Sequence, residues 1–334
     1  MSNVGKAVCK RFWTLLHAYF TWILPYSKNP SKEPINIKFK KLKYFITKLN
    51  KSLNVELHVK GKVSFPEDVK CAYLPNHMSA YDPMIISTVL PDATTYLSKV
   101  ENKKIPLVGR IIAAMEGCFV DRNNLEKSVQ AMLYIEKDLG EKNKNWVVFP
   151  EGTRNKDPFA PLIDFHKGAI RSVMKAQAPI VPVALYGTHN CLKSKYKLKK
   201  YPVYLTFLDP IMPEEYKDMT PDDMKERLMS VIQAEENIQR ELYYKEIEGL
   251  FKSKRALKKY KEENIDEGSD RKFTIVPSEG YELPSTITFV EGRGCTTYDN
   301  GTITITDMNS NVVVTAKATP IEKITYTITF MNGD

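Results

Sequence analysis

Cysteine is scarce in this sequence, and what there is does not cluster. The 334 residues hold five cysteines (Cys9, Cys71, Cys118, Cys191 and Cys295), with no CxxC pair and no His/Cys group. That spacing argues against a disulfide framework and a zinc site, and it suits a reducing compartment. Long apolar runs are missing too. The stretch "FWTLLHAYFTWILPY" near the start contains His17 and falls short of the ~20 residues that span a bilayer. No small-residue cleavage site follows it, so it does not read as a secretory signal. No nucleic-acid motif accompanies the basic residues, and no nucleic-acid partner is expected.

What is present in excess is positive charge, and it sits at one end. The net charge is +9, within an ordinary globular composition of 43% hydrophobic and 27% charged residues. Residues 1–60 carry twelve Lys or Arg against Glu33 and Glu56, so the rest of the chain sums to about −1. Between these charges lie Trp13, Tyr19 and Trp22, then "INIKFKKLKYFITKLNKSL", which places Ile37, Leu42, Phe45, Ile46 and Leu49 near one helical face. Two basic amphipathic helices over 1–54 suit a segment lying at an anionic headgroup boundary, on the cytoplasmic face of a membrane. The alternative is a pair of helices packed on the protein's own core.

From about residue 55 strands alternate with helices. "VELHVKGKV", "CAYLPN", "TTYLSKV", "GCFVDR", "NWVVFPEGT", "PIVPVALYG" and "YPVYLTFLDP" read as strands, with helices between most of them. Such alternation predicts an α/β fold over 55–263: a mixed, largely parallel sheet flanked by helices. Residues 220–262 read as one or two polar helices. A polar linker over 264–270 leads into Thr/Val/Ile-rich alternations, "STITFVEG", "GTITITD", "NVVVTAKA" and "ITYTITF". These predict a small all-β module, immunoglobulin-like, over 271–334, with a hairpin turn at Asp299-Asn300-Gly301.

Three strand ends carry residues fit for chemistry. In "LPNHMSAYDPM", His77 and Asp82 are separated by four residues. An imidazole can take a proton near neutral pH, and a carboxylate on its other nitrogen fixes the tautomer. Asp82 before Pro83 is equally good chemistry for a plain helix cap. "VVFPEGTRN" ends a strand with Glu151, Gly152, Thr153 and Arg154, offering turn amides, a hydroxyl and an Arg fork to a phosphate. "GCFVDR" adds Arg122, whose bland reading is an ion pair with Asp121.

The order of these pieces carries more than any one alone. His77-x4-Asp82, Gly117-x-Phe119-x-x-Arg122, Phe149-Pro150-Glu151-Gly152-Thr153-Arg154 and "IVPVAL" at 180–185 resemble the glycerolipid acyltransferase family, in particular its bacterial 1-acyl-glycerol-3-phosphate acyltransferases. "FHKGAIRSV" at 165–173 is a further match, and the resemblance spans roughly residues 1–215. It implies that His77, polarised by Asp82, deprotonates the free hydroxyl of lysophosphatidic acid for attack on an acyl thioester. It implies phosphate binding by Arg122, Gly152, Thr153 and Arg154, with Glu151 shaping the glycerol end and Lys167 a further phosphate ligand. Val181 and Pro182 would line the acyl-chain side. The family uses no metal or redox cofactor; its co-substrate is an acyl-CoA or acyl carrier protein thioester, so the carrier protein becomes a candidate partner. Its paired N-terminal helices lie in the membrane, which favours the same reading of residues 1–54. Relatives take glycerol 3-phosphate or another lysophospholipid as acceptor, and a non-catalytic lipid-phosphate-binding protein is the alternative of another class. The β module is foreign to the family.

Overall fold

A computed structural model of the chain describes residues 3–192 and 197–263, and beyond them six strands between 269 and 330, as backbone only. The chain divides into two compact units, Met1–Leu250 and Phe251–Asp334.

The first unit opens with helix α1 (Asn3–Ala18), a π-helical turn (Tyr19–Ile23), α2 (Leu24–Lys28) and α3 (Ile35–Leu53). The strands are β1 (Val55–Lys60), β2 (Ala72–Pro75), β3 (Thr94–Lys99), β4 (Cys118–Val120), β5 (Asn145–Val147), β6 (Ile180–Tyr186) and β7 (Tyr201–Phe207). Between and after them come α4 (Asp82–Val89), α5 (Pro106–Ala114), α6 (Leu125–Gly140), α7 (Lys167–Lys175), the short α8 (His189–Leu192) and α9 (Pro213–Tyr216), and the long α10 (Pro221–Leu250). All seven strands join one sheet in the order β1-β7-β6-β2-β5-β3-β4. Only the β6–β7 pairing is antiparallel. The mixed, mostly parallel sheet is therefore the one the alternation of strands and helices predicts.

The central strands β2, β5 and β6 read as continuous apolar runs because helices cover both faces. Trp146 on β5 is wholly buried among Ile135, Leu139, Phe165 and Ile232, and its indole N–H donates to Asp138 Oδ2 at 2.7 Å. Helix α10 is fastened across β6 and β7 by Gln239, whose amide donates to the Ala184 carbonyl and to Thr206 Oγ1.

The N-terminal helices pack in two directions. Leu42, Phe45 and Ile46 of α3 are buried, as the core-packing alternative required. Phe12, Trp13, Phe20, Ile37 and Tyr44 point outward, with Trp13 77% exposed. Lys38, wholly buried, donates to the Pro30 carbonyl at 2.8 Å and pairs with Glu116, which also meets Lys144 at 3.3 Å. That network ties α3 to the end of α5. No helix among the described residues is long and apolar enough to cross a membrane.

The second unit includes α11 (Lys254–Glu263). It holds two three-stranded antiparallel sheets, β10-β11-β8 and β13-β12-β9, built from β8 (Ser269–Thr274), β9 (Ile287–Glu291), β10 (Cys295–Asp299), β11 (Thr302–Met308), β12 (Val312–Lys317) and β13 (Thr325–Phe330). Four strands follow the predicted alternations; β8 and β10 were not anticipated. Asp299 pairs with Thr302, the register that an Asn-Gly hairpin imposes. The linker residues 264–268 and the turn pair 300–301 lie outside the described residues.

Candidate active site

Four neighbouring parallel strands end at the same edge of the sheet, and each delivers a polar residue there. This is the edge at which open α/β sheets hold ligands. β2 leads to His77, β3 ends at Lys99, β4 leads to Arg122, and β5 leads to the Phe149–Arg154 turn.

The loop after β2 is fixed from inside. Asn76 donates to the Leu185 carbonyl at 3.0 Å and accepts from the Leu185 amide at 2.8 Å, pinning the loop to β6. His77 Nδ1 then lies 2.7 Å from Asp82 Oδ2. Asp82 begins α4, yet its carboxylate caps nothing in that helix. It turns back instead: Oδ2 accepts the amides of Met78 and Ser79, both at 2.8 Å, and Oδ1 accepts the Thr188 hydroxyl. Four donors thus compensate the burial of a carboxylate that is 0% exposed. With Nδ1 held by Asp82, the imidazole keeps Nε2 for a substrate, and its ring rests on Phe149 at 4.1 Å between centroids. Ser79 is buried, and its hydroxyl accepts the Tyr81 amide at 3.2 Å, so it faces the loop and not a reacting group.

The turn after β5 separates into two jobs. Glu151 faces inward, 1% exposed, where one oxygen accepts the His77 amide and the other the Ile163 amide at 3.1 Å. Burial pushes its carboxyl up to about 7, against the pull of those two amides. It braces the backbone of the histidine and is not among the residues lining the cavity that holds His77, where the resemblance had it shape a glycerol end. Gly152 has φ +63°. A Cβ at that position would lie 2.0 Å from Arg122 Nη2 and 2.7 Å from His166 Cδ2. Glycine is needed there both for its backbone angle and for the approach of the Arg122 guanidinium.

His77, Arg122, Gly152, Thr153 and Arg154 all line one cavity of about 470 Å³. Lys99 and Lys156 join them, so four cations and no carboxylate face this space. None of the four makes a hydrogen bond or ion pair among the described residues, and Arg122 does not pair with Asp121. Burial, with Arg122 and Arg154 nearby, holds the Lys99 ammonium below its usual range. The rest of the lining is largely apolar, with Leu42, Phe45 and Ile46 of α3, and Val108, Ile111, Ile112 and Met115 at α5. Sequence reasoning missed Lys99, Lys156, Thr188 and this apolar lining.

Two sets of expected site residues lie away from the cavity that holds His77. Lys167 is exposed and paired with Asp222 at 3.0 Å, outside the cavity. Val181 and Pro182 are buried in the middle of β6, between β2 and β7, and are not among the residues lining the cavity that holds His77. The apolar lining of the cavity comes from α3 and α5 instead. Among the described residues the one trio with metal-ligating spacing is Glu56, His58 and Glu246, whose ligand atoms lie within 4.8 Å of one another. Glu56 is already held by Lys200 and Glu246 by the Tyr204 hydroxyl, and none of the trio lines the cavity.

Residues 56–186 match the Acyltransferase family model. A 1-acyl-sn-glycerol-3-phosphate acyltransferase of Limnanthes douglasii is 30% identical over 155 residues, which are 46% of this chain and 54% of that protein. One from Haemophilus influenzae is 30% identical over 168 residues, 48% of this chain and 66% of that protein. The chain thus spans about half the length of the plant relatives it matches, and under two thirds of the bacterial one. The crystal structure of the 1-acyl-sn-glycerophosphate (LPA) acyltransferase PlsC from Thermotoga maritima has the same fold, with a TM-score of 0.56 over 71% of this chain and 95% of that one, at 21% identity. The segment similar to the Acyltransferase family model, residues 56–186, holds the strands that carry His77, Arg122 and Arg154.

Proposed function

We propose that the protein transfers a fatty acyl group from an acyl thioester to the free sn-2 hydroxyl of lysophosphatidate, giving phosphatidate. One observation carries this reading: His77 opens into a cavity whose lining combines four unpaired cations with an apolar set from α3 and α5. A phosphorylated acceptor and a fatty chain are the ligands such a cavity suits. In the proposed reaction His77 Nε2 takes the hydroxyl proton as the acceptor oxygen bonds to the thioester carbon. Asp82 stabilises the imidazolium that forms. Collapse of the tetrahedral adduct breaks the C–S bond, and the departing thiolate receives the proton from Nε2. Arg122, Arg154 and Lys99 hold the phosphate, with the Thr153 hydroxyl beside them.

The outward residues Phe12, Trp13, Phe20 and Tyr44 of the N-terminal helices would seat this unit on an anionic, cytoplasm-facing membrane, as a monotopic rather than a spanning contact. Because α3 also walls the cavity, deleting these helices would break the site itself. Trp13→Ser with Phe20→Ser is the cleaner test, and it should weaken binding to anionic vesicles while leaving the fold intact; unchanged binding would refute the contact. The reaction is tested by assaying purified protein with lysophosphatidate, glycerol 3-phosphate and lysophosphatidylglycerol against acyl-CoA and acyl carrier protein donors. Lysophosphatidate should be preferred, and His77→Ala should lower kcat by at least ~10²-fold, the scale of a general base. Near wild-type turnover in that variant would remove His77 from the mechanism.

A further inference from the structure

A second cavity, of about 580 Å³, adjoins the first and shares Leu97, Val120, Arg122, Phe149 and Gly152 with it. It is a groove between α6 and α7. Its proximal end is Arg122, Gly152 and His166, and its middle is Val129, Met132, Leu133, Ala169 and the open edge of Gly168. At the distal end stand Arg171, Lys175 and Glu136. Both helices start at the active-site edge, so the groove runs from the site toward the opposite edge of the sheet. From His166 to Lys175 it covers roughly 13 Å at the rise of an α-helix. Arg171 and Lys175 are exposed and make no hydrogen bond or ion pair among the described residues. With Glu136 opposite, the distal end carries a net charge of +1.

We infer that this groove takes the phosphopantetheine arm of the acyl donor, with the arm's terminal phosphate on Arg171 and Lys175. The inference rests on the acyl-transfer reading above and assigns a place to a part of the reaction that reading leaves without one. Three groups radiate from the reacting carbon: the fatty chain, the phosphorylated glycerol, and the thiol arm. The first cavity has an apolar wall for the chain and four cations for the phosphate. The thiol arm needs a third exit, and the groove is continuous with the site through Phe149 and Gly152.

Charge decides between the arm and a second fatty chain. A chain terminus seated between Arg171 and Lys175 would desolvate two cations and return nothing. A phosphopantetheine arm runs about a dozen bonds from sulfur to phosphate, roughly 15 Å at the advance of an extended backbone, and it ends in an anion. The apolar middle suits its methylenes and paired methyl groups. Ser128 and Ser172, both on the lining, offer oxygens to its two amides. Coenzyme A and acyl carrier protein share this arm, and the groove recognises what they share.

The test is Arg171→Glu with Lys175→Glu, two exposed positions away from His77 and the four cations. With palmitoyl-CoA or palmitoyl-acyl carrier protein, the KM for the donor should rise about tenfold or more, while the KM for lysophosphatidate stays the same. With palmitoyl-pantetheine, which lacks the phosphate, wild type and the double variant should perform alike. A second variant, Gly168→Leu, plugs the groove: a Cβ there meets only Met132 Cγ, at 4.0 Å. It should raise the KM for all three thioesters. An unchanged donor KM in both variants, or a rise in the acceptor KM instead, overturns the assignment. Whichever of the two natural carriers turns over faster names the source, and either result supports the groove. Calorimetric binding of free coenzyme A separates this inference from the reaction. If wild type acylates nothing, loss of coenzyme A binding in the double variant still supports the groove, and equal binding in both proteins, or none in either, sinks it.

Discussion

The two sides of the catalytic cavity are built in opposite ways. Around Asp82 every polar partner is committed: two amides, a threonine hydroxyl and the histidine ring converge on a carboxylate with no exposure at all. Around Arg122 the cations stand in a solvent-open cavity without a hydrogen bond among the described residues. A general base must hold one geometry before any substrate arrives, and buried hydrogen bonds supply that. A phosphate-binding cation must keep its charge for the ligand, because a resident carboxylate would compete with the substrate. Gly152 is where the two constructions meet, since its missing Cβ lets Arg122 approach the strand end that Glu151 anchors.

If the contrast holds, damage to the buried side costs turnover and damage to the open side costs affinity. The largest effect is expected from Asp82→Asn. The amide keeps the volume but loses the charge, and one of its two terminal atoms turns a donor toward groups that already donate. We expect kcat to fall on the order of 10⁴-fold, the scale seen when a triad aspartate becomes asparagine in serine proteases. A loss of only a few-fold would show that His77 does not depend on this wiring.

Glu151→Gln sharpens the same side. Both Glu151 oxygens accept a backbone amide, so a glutamine can satisfy only one and leaves a buried donor facing a donor. That costs about 1–3 kcal/mol. The displaced partner is the His77 amide or the Ile163 amide, so kcat should fall about tenfold, with lower thermal stability and an unchanged acceptor KM. If the acceptor KM alone rose while stability held, Glu151 would be reaching substrate after all.

Arg154→Ala tests the open side. Removing one charge-assisted bond to a phosphate, worth about 1.5–3 kcal/mol, should raise the lysophosphatidate KM at least tenfold. The melting temperature and kcat should hardly move, because Arg154 supports nothing else in the fold. A variant that lost stability instead would place Arg154 on the structural side of the comparison.

Much of this cleft is legible in the sequence, and the reason is topological. A parallel sheet collects its strand ends at one edge, so His77, Arg122 and Arg154, far apart in sequence, had to converge if their strands were neighbours. The same logic should have flagged Lys99 at the end of β3 and Thr188 just beyond β6. Neither belongs to a short motif, and a strand-end lysine looks like any solvated one. Glu151 misled because its neighbours face the cavity while it does not: at a tight turn successive side chains diverge, and the motif gives no direction. Val181 and Pro182 lie within the core, and an apolar strand lining a core reads the same in sequence as one lining a tunnel. Part of the apolar lining came from α3, whose apolar face the sequence could assign to lipid or to core. In the fold one face does the packing while other residues point outward.

The smallest expected effect tests whether α3 follows the rule of the buried side. Lys38 of α3 is wholly buried and pairs with Glu116. Burial alone would raise the Glu116 carboxyl, but Lys38 and Lys144 outweigh it and hold it below its ordinary value of 4.5. A carboxyl lowered in the folded state stabilises the protein above its unfolded value, and the contribution is lost as pH falls through the folded value. Lys38→Met should therefore cost stability near neutral pH, by about 1–3 kcal/mol given that Glu116 is partly exposed and keeps Lys144. The gap from wild type should narrow in urea titrations taken progressively below pH 4.5. If α3 serves as a cavity wall, the variant should raise the KM for long-chain donors before it changes kcat. A gap that stayed constant with pH would assign the contribution of Lys38 to packing, and the buried ion pair would then differ in kind from the wiring of Asp82.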